Sequence, residues 1–332
     1  DTDRSRGLGD VYKRQAWYWI VLVCVCGFCL LYTLLCYIVA VKVLNKATTP
    51  KAHTEEEARA MQASAEKIDF DEYDNVWKRE PFEVDGVQGK VRGEFVTNSA
   101  NDGKLRRKVA VISHGHSWNR INSVKYAKIF YDNGYDVVLY DHAYFGQSDG
   151  KFTTLGYYEH KDLSAVIDAA LGRFGKNAFV VLHGESMGAA TVLGVLADRN
   201  DIGAVVADCG FSRTMAYYRE VCLQSVHLPG FPIVDFANVM SKRKFGYDFT
   251  KYNPIDAVAA SDVPICFIHG SADKFIFPHN SEDMYKVSDN PLSELHIVPG
   301  AGHARSHMVA PEAYRQIVTA FLRKVENAEK ID

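Results

Sequence analysis

The hexapeptide His183–Gly188, H-G-E-S-M-G, sets a serine between two glycines. It follows the apolar run A-F-V-V-L and precedes A-A-T-V-L-G-V-L-A. Gly184-Glu185-Ser186-Met187-Gly188 fits G-x-S-x-G, in which a serine sits on a sharp strand-to-helix turn with its hydroxyl presented. Glycine is needed there because side chains on either side would collide with the strand and helix that the turn brings together. The plain alternative is an ordinary glycine-bearing connection that happens to contain a serine. A serine hydroxyl becomes a nucleophile when a base takes its proton and a carboxylate orients the base. Asp273, in H-G-S-A-D, follows the apolar run Pro264–Ile268, and His303, in P-G-A-G-H, follows Leu295–Val298. Ser186 as nucleophile, Asp273 as acid and His303 as base stand in an order known for such sites, each after a separate candidate strand. Asp208, which also ends an apolar run, is an alternative acid. His307 is an alternative base, otherwise a surface or rim residue, and His279 and Asp283 read as ordinary helix residues.

Acyl chemistry also needs donors for a developing oxyanion. The backbone N–H of Met187, directly after the serine, is one. The other belongs in the loop His114-Gly115-His116-Ser117, where the N–H of His116 comes first and that of Ser117 second. A zinc site built from His114, His116, His183 and Asp141 would need ligand spacing that the sequence does not offer. Asp141–Asp149, D-H-A-Y-F-G-Q-S-D, reads as a structural turn beside the oxyanion loop. The chemistry calls for no cofactor and no metal.

These residues need a scaffold that brings strand ends together. Val109–Ser113, Asp136–Tyr140, Ala178–Leu182, Ala204–Ala207, Pro264–Ile268 and Leu295–Val298 are continuous apolar runs. Such runs suit strands buried on both faces of a parallel sheet, whose ligands bind beyond the carboxyl ends. Helical periodicity fills Ser123–Asn133, His160–Phe174, Met187–Ala197 and Pro311–Val325 between and after them. Alternation of this kind predicts an α/β fold with right-handed crossovers. The stretch from about Phe82 to Thr97 alternates apolar and polar residues around D-G and predicts an antiparallel hairpin. More than fifty aromatic-rich residues separate the runs at Ala207 and Pro264, too many for one crossover. A small helical cap at about 211–258 is the expected reading.

The chain has 332 residues, 47% hydrophobic and 24% charged, with a net charge of -3. That suits a folded domain and argues against a nucleic-acid partner, which selects a basic surface. The seven cysteines show neither disulfide nor zinc spacing. Residues 1–15 contain D-V-Y-K-R-Q, similar to a translated sequencing adapter, and are expected to be foreign to the protein. Trp17–Val41 carries no charge and is long enough to cross a bilayer. Trp17, Tyr18 and Trp19 would form an aromatic belt, and Lys42 and Lys46 bound the other end. A cleaved signal peptide is the rival, but its apolar core is shorter and ends at a small-residue site. The expected organisation is thus a foreign segment (1–15), an anchor (16–43), a polar linker (44–79) and a catalytic domain (80–328).

With those motifs in order, the chain resembles the α/β-hydrolase superfamily. It looks most like membrane-anchored bacterial hydrolases grouped with serine aminopeptidase-like and acylglycerol-lipase-like enzymes. The matching pieces are S-H-G-H-S, the Asp141–Ser148 loop, G-E-S-M-G, D-C-G-F-S, H-G-S-A-D-K-F-I and G-A-G-H-A, over roughly residues 80–328. The resemblance implies an α/β-hydrolase fold: a mostly parallel sheet flanked by helices, with a small cap and one N-terminal transmembrane helix. It implies Ser186, Asp273 and His303 as the triad, with the N–H groups of His116 and Met187 as the oxyanion hole. His142-Ala143-Tyr144-Phe145 departs from the R-G-H of relatives, which affects the loop's hydrogen bonding and not the triad. The expected activity is hydrolysis of an ester, thioester or amide through an acyl-enzyme, with carboxylesterase or lipase-like action favoured. A serine peptidase, a non-catalytic binding protein on this fold and a purely membrane-organising protein are the alternatives. The expected partners are a small or lipid-like acyl substrate and a membrane. The expected location is single-pass in a bacterial plasma membrane, with the domain outside, a side that the charges flanking the span leave open.

Overall fold

The computed structural model describes residues 2–331, with side chains from Tyr12 onward, so residues 1–11 of the 1–15 segment lie wholly or partly outside the description. Eight strands form one sheet. They are β1 (Lys78–Gly86), β2 (Gly89–Thr97), β3 (Lys108–Ser113), β4 (Asp136–Tyr140), β5 (Phe179–Glu185), β6 (Ala204–Asp208), β7 (Ile265–Gly270) and β8 (Glu294–Val298). Their spatial order is β1-β2-β4-β3-β5-β6-β7-β8. The strands from β3 to β8 run parallel, and β2 is antiparallel to both β1 and β4. The hairpin register pairs Gly86 with Gly89, leaving Val87 and Gln88 as a two-residue turn.

Among the described residues, twelve α-helices accompany the sheet. They are α1 (Thr2–Thr48), α2 (Glu55–Met61), α3 (Asp71–Asn75), α4 (Val124–Asp132), α5 (Glu159–Phe174), α6 (Met187–Gly194), α7 (Thr214–Val226), α8 (Gly230–Phe245), α9 (Pro254–Ala259), α10 (His279–Lys286), α11 (Ser306–Val309) and α12 (Pro311–Glu329). The two-residue period of a strand sorts its side chains between two cores. Ala110 and Ile112 of β3 face α4 and α12, where Phe130, Val318 and Phe321 meet them. Val109 and Val111 face the other way, towards α5 and α6, with Val166 and Val192. With both faces covered, the strands read as unbroken apolar runs. A third cluster gathers α1, α7 and α8 above the carboxyl ends of the strands.

Two segments differ from the sequence reading. Residues 44–79, read as a polar linker, are packed onto the body. Thr54 and Glu57 close a reciprocal capping box at α2, and Arg59 pairs with Asp74 at 2.8 Å. Ala58, Tyr73 and Trp77 are buried, and Gln62 Nε2 donates to the Asn122 carbonyl at 2.7 Å. The polar side chains that resemble a solvated spacer thus find partners distant in sequence. The cap is smaller than 211–258: α9 belongs to the sheet core, where Ile255, Ala257 and Val258 pack, leaving α7 and α8 as the helices over the site.

Candidate active site

Ser186 sits between β5 and α6 with φ 57° and ψ −113°, a backbone region that a residue with a side chain rarely adopts. The strain is held from both sides. The Ser186 N–H donates to the Asp208 carbonyl at 2.8 Å, and the Ser186 carbonyl accepts from Ala190 N at 3.1 Å. A Cβ on Gly184 would overlap the Gly188 carbonyl, and one on Gly188 would overlap the Ser113 carbonyl. Both glycines are therefore required by close backbone approach.

The structure brings Ser186, His303 and Asp273 into one hydrogen-bonded line. Ser186 Oγ lies 2.9 Å from His303 Nε2, and His303 Nδ1 lies 2.8 Å from Asp273 Oδ2. Asp273 is buried, in the turn after β7. Its Oδ1 accepts from Phe275 N at 2.8 Å and Ile276 N at 3.0 Å. His269 Nε2 stands 3.3 Å from Oδ2. Burial alone would raise this carboxyl, but hydrogen bonds from His269 and His303, with the Phe275 N–H, hold it well below the usual carboxylate range. The sequence reading quoted His269 but gave it no role. Its signal in the sequence is its place four residues before Asp273, near the end of β7.

The other candidates are placed apart from this line. Asp208 makes no hydrogen bond to His303 among the described residues. Burial pushes its carboxyl up to about 7, with Glu185 nearby adding to the shift. His307, read as a surface or rim residue, is buried, with Nδ1 3.1 Å from Glu66 Oε2 and its ring against Tyr126 and Tyr314. His279 pairs with Glu220 at 3.2 Å and Asp283 with Lys286 at 2.9 Å. The four candidate zinc ligands are each engaged elsewhere. His114 Nε2 accepts from His142 N at 2.9 Å, and His116 Nε2 lies 2.9 Å from the Ala47 carbonyl. His183 Nε2 lies 2.9 Å from the Tyr314 hydroxyl. Asp141 accepts from the N–H groups of Arg120 and Gln147 at 2.7 and 2.9 Å and from the Arg120 guanidinium at 2.5 Å. This fixes its loop, and Gly146 is needed there because a Cβ would overlap the Asp141 carboxyl.

Met187 N–H opens α6, and His116 N–H lies in the loop after β3. Among the described residues neither donates to an acceptor. An N–H at a helix start points at whatever negative charge sits before it. Ser117, the second choice, has φ 70° and gives its carbonyl to His53 N at 2.9 Å. Beneath the elbow, buried Glu185 accepts from the Tyr126 hydroxyl at 2.5 Å and lies 3.3 Å from Lys125 Nζ. Lys125 in turn binds Glu66 at 2.7 Å. Around the serine the side chains are apolar: Met187, Phe211, Tyr217 and Ile276 share one cluster, and the Phe275 ring is 4.9 Å from that of His303. A cleft of about 990 Å³, lined by Asn177, Arg199 and Asp262, lies at the amino ends of β5, β6 and β7, the edge opposite Ser186.

Residues 104–225 match the family described as serine aminopeptidase, S33. The match includes the loop His114–Ser117 and Ser186 and stops before Asp273 and His303. The chain is 32% identical over 223 residues to the uncharacterized protein YqkD of Bacillus subtilis (strain 168), covering 66% of this chain and 72% of that one. In structure it is similar to the Pyrococcus furiosus esterase Pf2001, with TM-score 0.63, 22% identity, and 76% of this chain and 93% of that chain covered. It is also similar to the Pyrococcus horikoshii acylaminoacyl peptidase, with TM-score 0.57, 16% identity, and 78% and 43% covered.

Proposed function

The chain belongs to the α/β-hydrolase superfamily, and from that premise we propose that it is a membrane-anchored serine hydrolase opening an acyl bond through a Ser186 acyl-enzyme. The observation that carries the reading is the line Ser186–His303–Asp273, with its serine on a glycine-bounded turn. His303 Nε2 takes the Ser186 proton as Oγ attacks the carbonyl carbon. The N–H groups of Met187 and His116 receive the oxyanion. Asp273, held ionised, orients the ring through Nδ1 and stabilises the imidazolium. His303 then gives its proton to the leaving group, and water repeats the sequence to free the acid.

Carboxylesterase or lipase-like action is favoured over peptidase action because Met187, Phe211, Tyr217 and Phe275 offer an acyl group an apolar setting. The long apolar helix α1 supports a single-pass membrane location. In this reading the domain lies outside a bacterial plasma membrane. A fluorophosphonate probe tests the chemistry: wild type is expected to be labelled and Ser186→Ala is not. Hydrolysis of a p-nitrophenyl ester should fall about ten-thousand-fold in Ser186→Ala and in Asp273→Asn. Labelling that survives Ser186→Ala overturns the reading, and faster turnover of aminoacyl amides than of esters selects the peptidase.

A further inference from the structure

Helix α1 is two different surfaces joined end to end. From Trp17 to Leu35 its side chains stand exposed apart from the partly covered Gly27, a rise of about 28 Å, close to the thickness of a bilayer's hydrocarbon. From Cys36 onward it is built into the domain. Cys36, Ala40, Leu44 and Thr48, four residues apart, are buried, and Val39, Val43 and Ala47 pack beside them. Lys42 and Lys46 stay exposed at the level where lipid headgroups would lie.

The ends of this contact fix where the site stands. At its inner end the chain is fastened to the oxyanion loop. His116 Nε2 meets the Ala47 carbonyl, His53 N donates to the Ser117 carbonyl, and Asn119 Nδ2 donates to the His53 carbonyl at 2.9 Å. Thr153 N donates to the Thr48 carbonyl at 2.8 Å. At the outer end Cys36 lies beside Cys222, near the close of α7. The carboxyl end of α7, and the corner from His227 to Phe231 that follows it, therefore lie on the side of the domain where α1 leaves it. Leu223 and Phe231 stand there with 58% and 70% exposure. Large exposed apolar side chains at a corner of the cap, beside the point where a helix enters lipid, fit insertion into that lipid. One apolar cluster runs from Cys36 through Ala40 and Leu44 to Met187, the residue after the nucleophile. From Cys36 to Ala47 this path rises about 17 Å.

We propose that α1 is a wall of the active site and that the substrate is an acyl ester resident in the bilayer, reaching Ser186 along the seam between α1 and the cap. This rests on the serine-hydrolase reading above. The ester C–O bond breaks as the acyl carbon passes to Ser186 Oγ, and His303 protonates the departing alcohol. Water then attacks the acyl-enzyme, giving a carboxylic acid and restoring the hydroxyl.

The test uses the full chain in phosphatidylcholine vesicles, with a bilayer-partitioned oleoyl ester and water-soluble p-nitrophenyl butyrate as substrates. Wild type is expected to hydrolyse the oleoyl ester with at least tenfold higher kcat/KM. The double substitution Leu223→Glu and Phe231→Glu is expected to lower that value at least tenfold, while butyrate hydrolysis and fluorophosphonate labelling stay within twofold. Equal preference in wild type, or equal losses on both substrates, overturns the proposal. A separate readout does not depend on catalysis: Phe231→Trp should add fluorescence quenched by brominated phosphatidylcholine beyond the wild-type signal. No added quenching also overturns it. Loss of labelling in wild type, with quenching intact, would instead defeat the hydrolase reading and the substrate assignment with it, leaving only the membrane face.

Discussion

Two aspartates close neighbouring strands of the sheet, and their surroundings give them opposite charge states. Asp273 receives two backbone N–H groups and faces two imidazoles, so it keeps its charge. Asp208 is buried without the two backbone N–H donors that Asp273 has among the described residues, and burial first, then Glu185, pushes its carboxyl up to about 7. In the proposed mechanism the residue that balances an imidazolium is the first. The second carries a stability prediction. In the unfolded chain Asp208 loses its proton near pH 3.9, whereas in the folded chain it keeps it to about 7. The stability that comes from the neutral form is thus complete below about pH 4 and is lost as pH rises through 7. Asp208→Asn removes that loss. Its melting temperature should exceed wild type at pH 8, by the equivalent of on the order of 4 kcal/mol, and converge with it near pH 4. Parallel melting curves across that range would show that Asp208 is not the protonated group. The sequence left both aspartates open as the acid because both follow apolar runs. The N–H groups that decide between them belong to the turn after Asp273, whose geometry is not written in residue type.

The elbow between β5 and α6 is an element whose demands were legible. Strand, glycine, serine, glycine and helix follow each other locally, and the apolar runs that flank them have no other use than a buried sheet. What the runs concealed was length: β5 continues through His183, Gly184 and Glu185, pairing Gly184 with Ser113, so the motif itself belongs to the sheet. Gly188→Ala tests the packing. Its Cβ would strike the Ser113 and His114 carbonyls, which are backbone and cannot swing aside. A loss of about 3 kcal/mol is expected. Ester hydrolysis should fall about a hundredfold, since the shift displaces the Ser186 hydroxyl. Gly172→Ala in α5 is the control. A Cβ there meets nothing within 4 Å, and the change should stabilise by about 0.5–1 kcal/mol. If both substitutions behave alike in a denaturation series, close approach is not what selects glycine at 188. The elements that escaped the sequence reading have their determinants far away. Gln62 finds Asn122 and Glu66 finds Lys125 across some sixty residues, and nothing within 44–79 announces it.

At the scale of the whole molecule the question is whether α1 is a tether or a part of the domain. An all-apolar helix gives no local sign of which side faces lipid and which faces protein, so Cys36, Ala40 and Leu44 read simply as membrane span. In the structure they close the third core, against α8 and the cap aromatics. Removing everything before Thr54 would uncover Ile233, Val234 and Ala237 of α8, and would strip the His116 side chain of the Ala47 carbonyl. Taking Leu44 and the partly buried Val39 and Val43 at about 1.5 kcal/mol or more each when fully covered, the loss is on the order of 4 kcal/mol. A chain beginning at Thr54 is therefore expected to melt well below the full chain in the same detergent, to self-associate on size exclusion, and to lose hydrolysis of p-nitrophenyl butyrate. A chain beginning at Tyr32 keeps the buried stripe and lacks most of the span. It should retain the melting temperature and the butyrate activity while losing vesicle binding. Were the Thr54 chain to melt and turn over as the full chain does, α1 would be a tether alone. The difference between the two truncations isolates the last four turns of the helix as part of the catalytic domain.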